Sequence, residues 1–181
     1  MLASLNALEV KCGDFMNAYI SAPITEKVWT ILGPEFGAES RKKEIIVYAL
    51  YGLKSAGDAF WYHLCICMRG LGYLPFLADP DLWYKSEVRP DDGFEYYSYI
   101  ICYIDDTLVI HHNSISILKR IDSYFKLKPS SIGDPDIYLG AKVKKMTLEN
   151  GTWCWSLSPS KYVQEAVRNC EQALMDTNGG T

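Results

Sequence analysis

The side chains best suited to chemistry are two adjacent acids, Asp105 and Asp106, in the stretch Tyr99-Ile-Ile-Cys-Tyr-Ile-Asp105-Asp106-Thr-Leu-Val-Ile110. Both flanks are apolar and β-prone, which predicts two short buried strands. Two turn-tolerant residues between them predict a tight antiparallel hairpin with both carboxylates at its tip. Two negative charges among apolar neighbours repel each other and lose hydration, a cost that a divalent cation would offset. An Asp-Asp pair is equally a plain polar turn in many chains. This chain carries its own control in Arg89-Pro90-Asp91-Asp92-Gly93, where Pro, Gly and polar neighbours mark an ordinary solvated turn. A phosphoryl-transfer site holding two divalent ions about 4 Å apart needs a further carboxylate on a rigid element. Asp14, near the end of an apolar strand, is the candidate.

The elements that must position these acids follow from periodicity and punctuation. Residues 2–8 read as a short helix and 10–15 as a strand, with Pro23 ending that unit. Residues 28–32 and 45–51 read as strands around a polar loop, closed by Gly33-Pro34 and Gly52. From Ser55, apolar residues recur at three and four through Phe60, Trp61, Leu64, Cys65, Met68 and Leu71, predicting a helix that Gly70 and Gly72 stop. Strands at 81–85 and 94–104 surround the turn at 90–93, and the acid hairpin returns through 108–112. Residues 114–125 have helical spacing, ended by Pro129. Strands at 139–147 and 152–157 flank Asn150-Gly151, a strong hairpin signal; Trp153, Trp155 and Leu157 share one face. Ser158-Pro159 opens a last helix whose apolar stripe is Tyr162, Val163, Ala166, Val167, Cys170 and Ala173, and residues 177–181 are expected to fray. This order predicts an α+β domain, an antiparallel sheet with helices on one face. No Walker loop, dinucleotide glycine fingerprint or nucleophile elbow is present, so the carboxylates must carry the chemistry.

With 181 residues, 49% of them hydrophobic, the chain can bury a sizeable core as one domain or a compact part of a larger one, which excludes a disordered segment. Thirteen Tyr and five Trp favour a sheet; they serve core packing or nucleotide stacking. A net charge of −4 supplies no overall field for nucleic acid, so any polyanion needs a local basic surface. Arg41-Lys42-Lys43, Lys119-Arg120 with Lys126 and Lys128, and Lys142 with Lys144-Lys145 are the clusters available, or simply solvated faces. Six cysteines without paired C-x-x-C spacing read as reduced, buried small hydrophobes of an intracellular protein. His63-Leu-Cys65-Ile-Cys67 is a poor metal cluster, because 63 and 67 share a helix face that 65 does not. The apolar stretch 59–78 is interrupted by His63, Arg69 and helix breakers, so no membrane span is expected, nor is a signal peptide evident.

Several ordered segments resemble one family. Tyr103-Ile-Asp105-Asp106 is similar to the Tyr-x-Asp-Asp box of reverse transcriptases. Leu50-Tyr51-Gly52-Leu53-Lys54-Ser55-Ala56, followed by Trp61, resembles the more specific Leu-Tyr-Gly-Leu-Lys-Gln-Ala-Pro-x-x-Trp signature of copia-type LTR retrotransposon polymerases. Asp14-Phe-Met-Asn-Ala-Tyr19 resembles the Asp-Val-Lys-Thr-Ala-Phe segment, and residues 29–36 resemble Tyr-Met-x-Gln-Pro-x-Gly-Phe. Residues 133–142, with Tyr138-Leu139-Gly140, look like Leu-Gly-x-x-x-x-Phe-Leu-Gly-Ile, and 157–163 like Leu-Ser-Gln-x-Lys-Tyr. The resemblance covers roughly residues 2–168.

What the resemblance implies is a reverse-transcriptase palm with partial fingers and the start of a thumb. It places palm at 1–22, partial fingers at 23–54, palm with the acid hairpin at 55–128, primer-grip-like hairpins at 129–157 and a connecting helix at 158–181. The implied activity is RNA-directed DNA polymerisation, nucleotidyl transfer from a dNTP to a primer 3′-hydroxyl; the alternative is an inactive relic serving as a nucleic-acid-binding or assembly module. Asp14, Asp105 and Asp106 would be catalytic and, with the Phe15 carbonyl, would hold two Mg2+ ions, or Mn2+. Tyr19 would lie under the nucleotide sugar or be a core aromatic; Tyr51, Gly52 and Lys54 would approach nucleotide and template, Gly52 because a side chain would obstruct close approach. Tyr103, Lys142 and Lys144 would touch nucleic acid, or the two lysines would line a plain exposed strand. Partners would be an RNA template, a DNA primer, dNTP and the rest of a Pol polyprotein, in a cytoplasmic particle or the nucleus. The pattern departs at Ser55-Ala56-Gly57-Asp58, where the family has Gln-Ala-Pro-Arg, and the family's N-terminal basic fingers are expected to be missing.

Overall fold

Leu74–Pro75 and Leu82–Val88 pair beside Glu95–Tyr103, which pairs with Asp106–His111, which pairs in turn with Glu9–Asp14. Numbered in chain order, strands β1 (Glu9–Asp14), β4 (Leu74–Pro75), β5 (Leu82–Val88), β6 (Glu95–Tyr103) and β7 (Asp106–His111) form a wholly antiparallel sheet ordered β1-β7-β6-β5-β4. Two smaller antiparallel sheets accompany it: the ribbon β2 (Pro23–Ile31) and β3 (Lys43–Tyr48), and β8 (Ile137–Tyr138), β9 (Ala141–Thr147) and β10 (Trp153–Ser158). The helices are α1 (Leu2–Leu5), α2 (Ala56–Gly70), α3 (Ser114–Asp122) and α4 (Ser160–Asn178). The structure, a computed structural model, describes residues 2–178. Of the tail expected to fray, 177 and 178 belong to α4, and 179–181 lie outside the described residues.

The α+β class and antiparallel sheet are as expected, but the helices do not all lie on one face. Strand alternation sends Trp83, Ile100, Cys102 and Val109 to one side, where Phe60, Leu64 and Met68 of α2 and Ile117, Leu118 and Ile121 of α3 bury them. Val10 and Leu108 face the other way, with Ile101 and Ile110, against Ala3 of α1, Tyr138 and Trp155. A second, smaller core therefore lies between the sheet and β8–β10. The outer edge of β1 is covered by the segment after α3, through bridges from Cys12 to Gly133 and from Phe15 to Leu127.

Several boundaries move for identifiable reasons. Pro23 begins β2 rather than ending a unit, since a strand's first residue needs no amide donor. Leu139 and Gly140, both at positive φ (49° and 76°), form the β8–β9 turn, so β9 starts at Ala141. The stripe of α4 does not line a core: Tyr162, Val163, Ala166, Val167 and Cys170 are exposed. Cys65, Cys67 and Cys102 are buried as expected, whereas Cys170 is exposed and Cys12 and Cys154 are half-buried; all six are free thiols.

Candidate active site

The acid hairpin turns one residue earlier than its sequence implies. Tyr103 pairs with Asp106, which leaves Ile104 and Asp105 as the two central turn residues. Ile104 is at φ +53° and Asp105 is not at positive φ, the sign pattern of a II′ turn, in which a β-branched first residue is strained. Asp106 is thus the first residue of β7, not a tip residue. This shift gives the two acids different roles in the backbone.

On its other side β7 pairs with β1, and the register sets Asp14 directly opposite Asp106. Cross-strand partners share a face with Cβ atoms about 5 Å apart, so the two carboxyl groups meet. The Phe15 amide donates to the Asp105 carbonyl at 2.7 Å, which ties the hairpin tip to the end of β1. Phe15 itself is anchored in the core by edge contacts with Phe60 and Phe125 at 5.6 and 5.3 Å. Asp14 is clasped from behind: its amide donates to Ser131 Oγ at 2.7 Å and its carbonyl accepts from the Lys128 amide at 2.9 Å. Ser131 Oγ in turn donates to the Lys128 carbonyl at 2.7 Å.

Burial raises the Asp106 carboxyl above its ordinary value, and the charges of Asp14 and Asp105, with a hydrogen bond that the protonated carboxyl donates to Asp14, raise it further. Lys128 opposes this, with Nζ 3.6 Å from Asp14 Oδ2. The hard carboxylate oxygens of Asp14 and Asp106 suit a shared divalent cation. The Asp105 carboxylate does not complete a three-ligand set: among the described residues, no group of three or more His, Cys, Asp or Glu side chains is placed to hold a metal. His63 packs edge-on against Phe125 at 4.9 Å.

Beside the hairpin lies a cavity of about 180 Å³ whose lining includes Tyr19, Phe60, Trp61, Asp81, Tyr103 and Ile104. Tyr19 and Tyr103, far apart in sequence, therefore share one space beside the hairpin tip. Tyr51 stacks at a tilt on Tyr19 with 5.0 Å between ring centroids. Gly52 is at φ +97°, and a Cβ there would meet nothing within 4 Å, so the backbone conformation rather than crowding within the chain calls for glycine. Lys54 is exposed just beyond it. Ser55 Oγ donates to the Glu26 carboxylate, and Asp58 stands in the first turn of α2, where a negative charge suits the helix dipole. Lys142 and Lys144 belong to a different sheet from the acids and project from alternate, exposed positions of β9. The residues that sequence reasoning missed are Lys128 and Ser131. Lys128 had a signal only as one of several basic residues, and Ser131 had none.

No protein-family model matches the chain. It is similar to a Retrovirus-related Pol polyprotein from transposon RE2 of Arabidopsis thaliana, 23% identical over 138 residues. The match takes in 74% of this chain and 9% of the relative, so the chain spans a small part of that polyprotein's length. This distant similarity supports a retrotransposon-derived Pol region.

Proposed function

We propose that the chain is the palm of a copia-type reverse transcriptase with a partial fingers ribbon, and that its site is the acid pair of an RNA-directed DNA polymerase. The observation that carries the reading is the cross-strand pairing of Asp14 with Asp106, two acids from separate motif-like segments. The ordered segments similar to the family and the likeness to a Pol polyprotein support it. Asp14 and Asp106 would hold magnesium, with the Asp105 segment fixing the hairpin against Phe15. Bound magnesium supplies activation of the primer 3′-hydroxyl and neutralises charge on the transferred phosphate. The protein's own contribution is placement. The clasp of residues 128–131 fixes Asp14, the β7 register fixes Asp106, and Tyr19, with Tyr51 stacked on it, lines the cavity where the sugar of a dNTP would lie. Tyr103 and Ile104, which also line that cavity, would face the primer end.

The test is primer extension on an RNA template with magnesium and dNTPs, comparing the chain with Asp14→Asn and Asp106→Asn. Extension abolished by either substitution is the expected result. The second reading, an inactive relic, is favoured by the absence of a three-carboxylate group among the described residues. Absence of both extension and Mn2+ binding in a folded chain would select it.

A further inference from the structure

Lys128 sits against the acid pair in an unusual way: its backbone is fixed and its head is loose. The Lys128 amide and carbonyl are both engaged in the clasp around Asp14, and the neighbouring Lys126 carbonyl accepts from the Met16 amide at 2.7 Å. Its ammonium, however, stands 3.6 Å from Asp14 Oδ2, whereas a tight ammonium–carboxylate contact is about 2.8 Å. The two side chains keep 45% and 37% of their surface in water, so the contact exchanges easily. Among the described residues, no other ion pair involves Asp14, Asp105 or Asp106.

We propose that Lys128 is a resident counter-ion: its ammonium partly neutralises the Asp14–Asp106 pair in the metal-free chain, and an incoming divalent cation displaces it on its own flexible stem. This rests on the acid pair being a cation site, as proposed above. One ammonium held on one side of Asp14 compensates the pair incompletely. A divalent cation shared by both carboxylates compensates it better and repels the ammonium. Four rotatable methylenes let the head swing outward without disturbing the clasp. Lys128 is in this sense a positioning residue that sets how readily the site accepts metal.

The experiment titrates Mn2+ into the whole chain by calorimetry and measures metal-free thermal unfolding in parallel, for the chain, Lys128→Met, Lys128→Arg and Asp14→Asn. Lys128→Met is expected to lower the metal-free melting temperature yet bind Mn2+ about two- to five-fold more tightly, since nothing need be displaced. Lys128→Arg should restore both properties toward the original. A merely structural role would move stability and affinity down together. If the chain binds Mn2+ through Asp14 and Lys128→Met binds it no more tightly, the counter-ion proposal alone is overturned. If neither the chain nor Lys128→Met binds Mn2+, the cation-site reading falls, and displacement falls with it.

Discussion

Asp91-Asp92 and Asp105-Asp106 are the same dipeptide at opposite ends of β6, and they meet opposite fates. At the first turn Asp92 is satisfied locally, its Oδ1 accepting from the Phe94 amide and its Oδ2 from Arg89 Nη1, each at 3.1 Å, and both acids are exposed. At the second, Asp106 faces another carboxylate, is half-buried, and has only the loosely held Lys128 to offset the charge. An acid that finds donors in its own turn serves to close that turn. An acid that is forced against a second acid by strand register destabilises the fold unless a ligand compensates it, which is the condition expected of a binding site.

The largest effect tests whether the two ends share one rigid strut. Ile100, fully buried midway along β6, should cost about 4 kcal/mol when changed to Ala, read by urea unfolding, with amide protection lost at both turns. Loss at one turn only would break the view of β6 as a single unit.

Next comes acid titration. His111 is buried at the far end of β7, and burial, with His112 adding to it, holds its imidazole down to about 4 against an ordinary 6.5. Glu87 acts the other way, and Lys85 with the rest. Above pH 6.5 the ring is neutral in both folded and unfolded chains and contributes nothing to pH dependence. Between pH 6.5 and 4 the unfolded chain takes up a proton that the folded one resists, so about 3 kcal/mol of stability is lost over that window. His111→Gln should flatten the slope in a pH series of melts.

The two smaller effects set the acid pairs directly against each other. Asp92→Ala removes a turn-closing acceptor and should destabilise by about 1 kcal/mol. Asp106→Asn should do the reverse in metal-free buffer near pH 7. The folded chain raises this carboxyl's pKa, so its ionised form is disfavoured there and the strain is relieved only as pH falls through the raised value. Thermal unfolding of both variants decides it: if Asp106→Asn lowers stability as Asp92→Ala does, the contrast collapses.

Much of this arrangement was legible before the structure, for physical reasons that can be named. The three-and-four spacing of Phe60, Leu64 and Met68, and of Ile117, Leu118 and Ile121, is the signature of a helix with one buried side, and α2 and α3 follow it. Asn150-Gly151 marked its hairpin because that pair closes turns cheaply. The two-residue strands β4 and β8 were invisible, being too short for alternation to register. The turn at Ile104 was misplaced because local preference argues against a β-branched residue at positive φ, and pairing on both sides of β7 overrides it. Asp14, Asp105 and Asp106 could be nominated from sequence, but that Asp14 and Asp106 oppose each other while Asp105 lends a carbonyl is a property of register. The Lys128 clasp is likewise tertiary, since it requires the segment after α3 to run back along β1.

That register has a consequence for how the gene can change. Along β7, Asp106, Leu108 and Ile110 look to one side of the sheet, and Thr107, Val109 and His111 to the other. Loss or gain of a single codon in the Ile104-Asp105 turn would, if β7 slid to keep its pairing, carry the acid to the helix-covered side and a core valine toward the smaller sheet. Substitutions in this turn are tuned one side chain at a time, whereas an in-frame indel inverts the whole strand. A lineage still using the site should therefore accumulate point changes around this hairpin and almost no length changes.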